Sequence, residues 1–345
     1  VGINRTIFNA INDVLVDYGC SPAEIETFLM ARWGLRRRQT EAISILDGTM
    51  TYHGKQELLH YVVELARVEH GIRELEPWVR DHVAHALLSF LLGIYINERF
   101  MKERGLDVDT FQWKLAGLFH DVAYPAQVAR DILKPFTGQI NKIKETLRVE
   151  APDVFFKLVP VGLDGLRNDR NSLDLIQQRL DQWGLRVDAA REYNDMLESG
   201  QMCHGIMSSL SVLYVIDLMY QKYNPQREHR DIFAPVGINW NQAFFENDVV
   251  SACSAIFVHN LPARCFKDAP IDKDRAPLAF LLKLSDCLQD WGRPSAENPR
   301  GLPTRGYKIK VTDGRLVFTV ADEHRRQKIA EEIQTTLVTS DIEIC

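Results

Sequence analysis

The stretch from Val83 to Ile96, "VAHALLSFLLGIYI", is apolar around most of its circumference, and this limits what the chain can become more than any other feature. A helix with no polar face cannot lie on a surface, so it must run through the middle of a bundle. Nowhere do 18 apolar residues run together, so no membrane-spanning helix is expected. The same character returns in "LAGLF" before His120, "IMSSLSVLYVI" after His204, "SAIFV" before His259 and "LAFLLKLS" before Asp286. With 46% hydrophobic residues in 345, the chain can bury a large core, and the fold expected is mainly α.

Breakers divide the chain into three parts. Residues 1–70 read as an N-terminal helical region, with a helix stopped at Gly19, a second begun by Ser21 and Pro22, and a third ended at Gly71. Residues 71–299 carry the apolar helices, the first drawn from Pro77 to Gly105 and the next starting near Thr110. Within them, 126–200 alternates amphipathic pieces with Pro and Gly breaks, and the middle of this region reads as a long, partly mobile insertion. Residues 300–345 form a small α/β appendage: "YKIKVTDGRLVFTV" alternates about an Asp313-Gly314 turn and is followed by a helical run and a short extended end.

A net charge of −6 with 26% charged residues gives no sign of a nucleic-acid binder. The Arg36, Arg37, Arg38 run reads as a solvated helix face. Six scattered cysteines without a close pair fit a reducing compartment. The chain is expected to be soluble and cytoplasmic, and Val1, which is not an initiator methionine, leaves room for it to be part of something longer.

Inside the apolar helices stand residues that are costly to bury alone: His82 and His85, the adjacent His120 and Asp121, His204, His259 and Asp286. A shared divalent metal cluster is the economical partner, with imidazoles as nitrogen ligands, Asp121 reaching between two ions and Asp286 closing the site. His53, His60, His70, His229 and His324 sit in polar surroundings and read as surface residues. Lys283 is three residues before Asp286, on the same helix face, where its ammonium can meet a phosphate or simply reach solvent. Tyr124, Gln289, Asp290 and Arg293 flank the site in sequence and are candidates for contact with a substrate.

The ordered series His85, His120-Asp121, His204, His259, Asp286, spread over roughly residues 77–295, resembles the HD superfamily of metal-dependent phosphohydrolases. "HALLSFLLG" is similar to that family's first-histidine helix, "CHGIMSS" and "IFVHN" to the two extra histidines of its two-metal branch, and "LLKLSDCLQDWGRP" to its closing aspartate helix. The resemblance implies an HD-type helical bundle and a ligand set of His85, His120, Asp121, His204, His259 and Asp286. It makes His82, one turn before His85, a residue behind the metal or against the substrate. The whole resembles poorly characterised bacterial HD proteins, some of them linked to antiviral conflict systems. No G-Y-P companion motif is present, so a cyclic di-GMP specificity is not implied.

The reaction expected on this basis is hydrolysis of a mono-, deoxy- or cyclic nucleotide or another phosphorylated small molecule. Two divalent ions (manganese, magnesium, iron, zinc or nickel) would activate water and clamp the phosphoryl group. Asp121, His204, His82 and Lys283 are the catalytic candidates, with Lys283, Arg293, Tyr124 and Gln289 against the substrate. Two other readings stay open: an HD-type di-iron oxygenase with the same ligands, and a nucleotide-sensing or assembly module of a larger defence protein. The latter would form a homo-oligomer or dock a partner domain through residues 305–337, where a two-stranded hairpin leaves a free edge.

Overall fold

A computed structural model describes residues 2–51, 58–73, 81–124, 170–222, 245–292 and 306–345, together with Gln127, position 243 and a few positions between 141 and 148. The fold is mainly helical, with a small sheet near the C-terminus. Three N-terminal helices, α1 (Ile3–Ile11), α2 (Pro22–Met30) and α3 (Leu35–Thr51), lead into α4 (Leu59–Arg73). The first is shorter than its pattern: beyond Ile11 the chain continues as tight turns to Gly19, which closes them at φ 69°.

Next comes α5 (His82–Ile96), every residue of which is buried, as an all-apolar circumference requires. Asp81 caps it by accepting from the Ala84 N–H at 3.0 Å. The run drawn to Gly105 is not one α-helix. It widens into a π turn at Asn97–Met101, tightens at Lys102–Arg104 and ends at Gly105 with φ 73°.

Among the described residues, six more helices of the bundle follow. Asp109 caps α6 (Thr110–Phe119), α7 (Ser172–Gln182) and α8 (Ala189–Ser199) follow, and α9 (His204–Lys222) packs along α10 (Val250–His259). The amphipathic pieces expected near the end of 126–200 are the helices α7 and α8. Leu173, Ile176, Leu180, Tyr193 and Met196 of α7 and α8 are buried in the main core. Most of the first half, 126–169, lies outside the described residues. Finally α11 (Pro277–Leu288), started by its proline, packs on α5, α6 and α10.

The C-terminal segment is built on the same core. Strands β1 (Tyr307–Thr312) and β2 (Arg315–Val320) pair antiparallel through a turn with positive φ at Asp313 and Gly314, the conformation a two-residue hairpin needs. A third strand, β3 (Ile342–Ile344), then pairs parallel with β2, so one edge of the expected hairpin is covered by the chain's own end. The buried face of the hairpin packs inward: Trp291, after α11, lies 6.3 Å from both the Tyr307 and Phe318 rings. Between the strands, α12 (Glu323–Thr336) lies against α11. Among the described residues no helix is long and apolar enough to cross a membrane.

One contact fixes how α5 meets α6, and thereby how His85 meets His120. Trp113 lies against Gly93, donates its indole N–H to Phe90 O at 3.1 Å and stacks on the Phe90 ring. A Cβ at Gly93 would sit 1.9 Å from Trp113 Cζ2. Gly93→Ala is therefore expected to destabilise the protein by about 3 kcal/mol through overpacking. Urea denaturation checks this, and an unchanged midpoint would show that the two helices are not held by this contact.

Candidate metal centre

The metal-type residues occupy helix ends that converge at one place. His82 and His85 open α5, His120 and Asp121 follow the last turn of α6, His204 opens α9, His259 ends α10 and Asp286 sits in the last turn of α11. Gly205 allows the close approach of α9 and α10, since a Cβ there would meet His259 Cε1 and Ile256 O at 3.0 Å. Apolar runs bury the helices, and the polar residues stand at their ends, His82, His85 and His204 at starts and His120, Asp121, His259 and Asp286 at finishes.

Asp121 is the centre, with 5% of its surface exposed. Its two oxygens face different histidines. Oδ2 lies 3.5 Å from His120 Nε2 and 3.7 Å from His85 Nε2, whereas Oδ1 lies 3.1 Å from His204 Nε2 and 3.7 Å from His259 Nε2. Asp286 Oδ1 closes the first side, 2.9 Å from His85 Nε2 and 3.9 Å from His120 Nε2. Two groups of residues that could hold a metal ion result, His85-His120-Asp121 and Asp121-His204-His259, with Asp121 common to both.

In each of the four histidines Nε2 points at the carboxylates and Nδ1 points outward to an oxygen. His120 Nδ1 donates to Gly117 O at 3.0 Å and His259 Nδ1 to Ile256 O at 2.6 Å, using carbonyls that the last helical turn leaves without a partner. His204 Nδ1 donates to Gln127 Oε1 at 2.7 Å, and His85 Nδ1 to Gln289 Oε1. A proton held on Nδ1 leaves the Nε2 lone pair for a metal, and such outward hydrogen bonds are how proteins orient ligating imidazoles. The Nε2 atoms of His120 and His259 are buried without a hydrogen-bond partner. That is the strongest structural sign that a cation fits, because buried polar atoms otherwise find partners.

Burial opposes ionisation of Asp121, but His120, His204 and His259 around it hold its carboxyl well below the usual range. For Asp286, burial is likewise outweighed, chiefly by His85. Burial pushes His259 down, which favours its neutral form. Two ionised carboxylates at one place, Asp121 and Asp286, offer a site whose charge a divalent cation could balance.

The remaining sequence candidates separate. His82 and Tyr124 line the same cavity, their rings stacked with centroids 3.5 Å apart. Gln289 is placed behind His85, and its other end donates to Trp291 O at 2.7 Å. Lys283 is buried and held 2.7 Å from Glu332 of α12, outside the residues that wall the cavity. Asp290 accepts from Tyr307 and Arg325. Arg293, His53 and His229 lie outside the described residues. His60 is exposed as expected, and His324, also exposed, borders the cavity rather than open surface alone.

Two residues were missed that the geometry makes prominent. Glu69 accepts from His82 Nδ1 at 2.8 Å and from the His82 backbone N–H at 2.6 Å, while Gln39 Nε2 donates to its other oxygen at 2.8 Å. The sequence carried a signal for it: Leu58, Val62, Leu65 and Glu69 fall on one buried stripe, so a carboxylate stands where the periodicity calls for an apolar residue. Gln127, the outer partner of His204, had no such signal.

The cavity beside the carboxylates has a volume of about 550 Å³, within the range of small-molecule sites. Its opposite wall is α12. No family model, curated protein or solved structure matches this chain. What the site can do is therefore read from its own geometry.

Asp121→Ala removes the ligand common to both groups and is expected to cut bound manganese to a small fraction of wild type in equilibrium dialysis. Gln127→Ala, which takes the nearer partner from His204 Nδ1 and leaves Asn260 Nδ2 at 3.2 Å, should weaken metal affinity about 10-fold. Wild-type metal binding in both variants would show that these histidines are not ligands.

Proposed function

We propose that this chain is a metal-dependent phosphohydrolase acting on a nucleotide or another phosphorylated small molecule, with one divalent ion in each His/Asp group. The observation that carries the reading is the division of Asp121, one oxygen toward His85 and His120 and the other toward His204 and His259. A carboxylate so placed is suited to bridge two ions, the arrangement used for in-line displacement at phosphorus. When bound, such ions acidify a water and polarise phosphoryl oxygens. Manganese, magnesium, iron, zinc and nickel are all compatible with nitrogen and carboxylate ligands.

The chain's own residues supply the rest. His85, His120, His204 and His259 hold position because their Nδ1–H groups are tied, so nothing in the ligand set has to reorganise as charge develops. Glu69 fixes the proton of His82 on Nδ1, and Tyr124 stacks on its ring. This prepares His82, in its protonated form, to pass a proton from Nε2 to the leaving-group oxygen as the P–O bond breaks, with Glu69 stabilising the imidazolium.

The test is chromatographic disappearance of a panel of ribo-, deoxy- and cyclic nucleotides with manganese or magnesium. Wild type is expected to consume at least one member, and Asp121→Ala none. Glu69→Gln, with the ion pair to His82 removed, should lower kcat about 100-fold while metal content is retained; an undiminished kcat would remove His82 from the proton transfer. No turnover of any member, with oxygen-dependent chemistry on iron loading, would replace hydrolysis by an oxygenase reaction at the same ligands.

A further inference from the structure

The wall of the cavity opposite the histidines is α12, and its cations are not equivalent. Arg325 lies 3.1 Å from Asp290 and 3.2 Å from the Tyr307 hydroxyl, so its charge is balanced within the protein. Further along, Glu332 is held by Lys283 at 2.7 Å. Lys283 and Asp290 are seven residues apart, and so are Arg325 and Glu332. The helix therefore crosses α11 antiparallel in matched register, pinned at both ends by ion pairs about 10 Å apart along its axis.

Lys328 falls midway between the two pins, about one turn from each, which brings it to the level of Asp286. It lines the cavity, is exposed, and among the described residues makes no ion pair. His324, one turn earlier and on the same face, borders the cavity too. Lys283, the cation the sequence offered for this duty, is turned to Glu332 instead.

We propose that α12 is the substrate-recognition wall of the site, with Lys328 as the residue that receives an anionic phosphate group and His324 beside it. The substrate class is then a polyanionic phosphate, a phosphomonoester or nucleoside polyphosphate rather than an uncharged molecule. This deepens the hydrolase reading and rests on it. A lysine suits the task as a mobile point charge on a flexible stem, able to follow a phosphate that the fixed ligands position.

The test uses the manganese-loaded full chain and inorganic pyrophosphate as the probe, with affinity measured by calorimetry. Lys328→Ala is expected to weaken binding about 10-fold, Lys328→Glu to weaken it further, and Lys328→Arg to restore it. Because Lys328 is exposed, metal content and melting temperature should stay at wild-type values in all three. Pyrophosphate binding unchanged in Lys328→Ala and Lys328→Glu overturns the assignment and leaves the hydrolase reading standing. Lys328-dependent binding without turnover of any nucleotide supports the recognition wall and removes hydrolysis. Wild type that binds no pyrophosphate overturns the assignment outright.

Discussion

A carboxylate surrounded by imidazoles and almost without contact with water is an expensive thing to fold around, and Asp121 is such a group. Its own burial works against ionisation, and only the nearby His120, His204 and His259 hold it ionised. With Asp286 it places two carboxylates at one point, where a cation could take over the role of the histidines. The outward hydrogen bonds of the four histidines, each through Nδ1, suit such an ion, because they turn every Nε2 inward.

The rest of the bundle serves this convergence. Fully buried α5 and α10 can pass through the interior because they carry no polar face, and they deliver His85 and His259 at their ends. Tight helix contacts set the geometry: Gly93 against Trp113 for the first group, Gly205 against His259 for the second. The last turns of α6 and α10 use their own carbonyls to orient His120 and His259, so local helix termination and the site are one device.

The C-terminal segment is part of the same construction. Its strands bury Tyr307, Ile309 and Phe318 against the core, and β3 returns to cover the edge of β2. That packing holds α12 across the cavity, where the ion pairs from Lys283 and Asp290 align it with α11. Both ion pairs also decide which cations remain for a ligand. A segment that reads as an appendage becomes a wall of the site.

Much of this was legible in the residues themselves. All-apolar runs dictate buried helices, alternation about Asp313-Gly314 dictates a hairpin, and histidines and aspartates inside apolar helices dictate a shared partner, because each of these follows from local periodicity and the cost of burial. Which side chains meet was decided only by tertiary structure. Glu69 behind His82, Gln127 behind His204 and Lys328 in the same cavity wall as Arg325 depend on contacts between segments far apart in sequence. Lys283 shows the limit most clearly: its spacing from Asp286 correctly put both on neighbouring turns of α11, but the buried side chain turns to Glu332, a partner that a helix 49 residues away brings within 2.7 Å. Periodicity determines which face a residue occupies; only the packing of a second helix on that face determines what it touches.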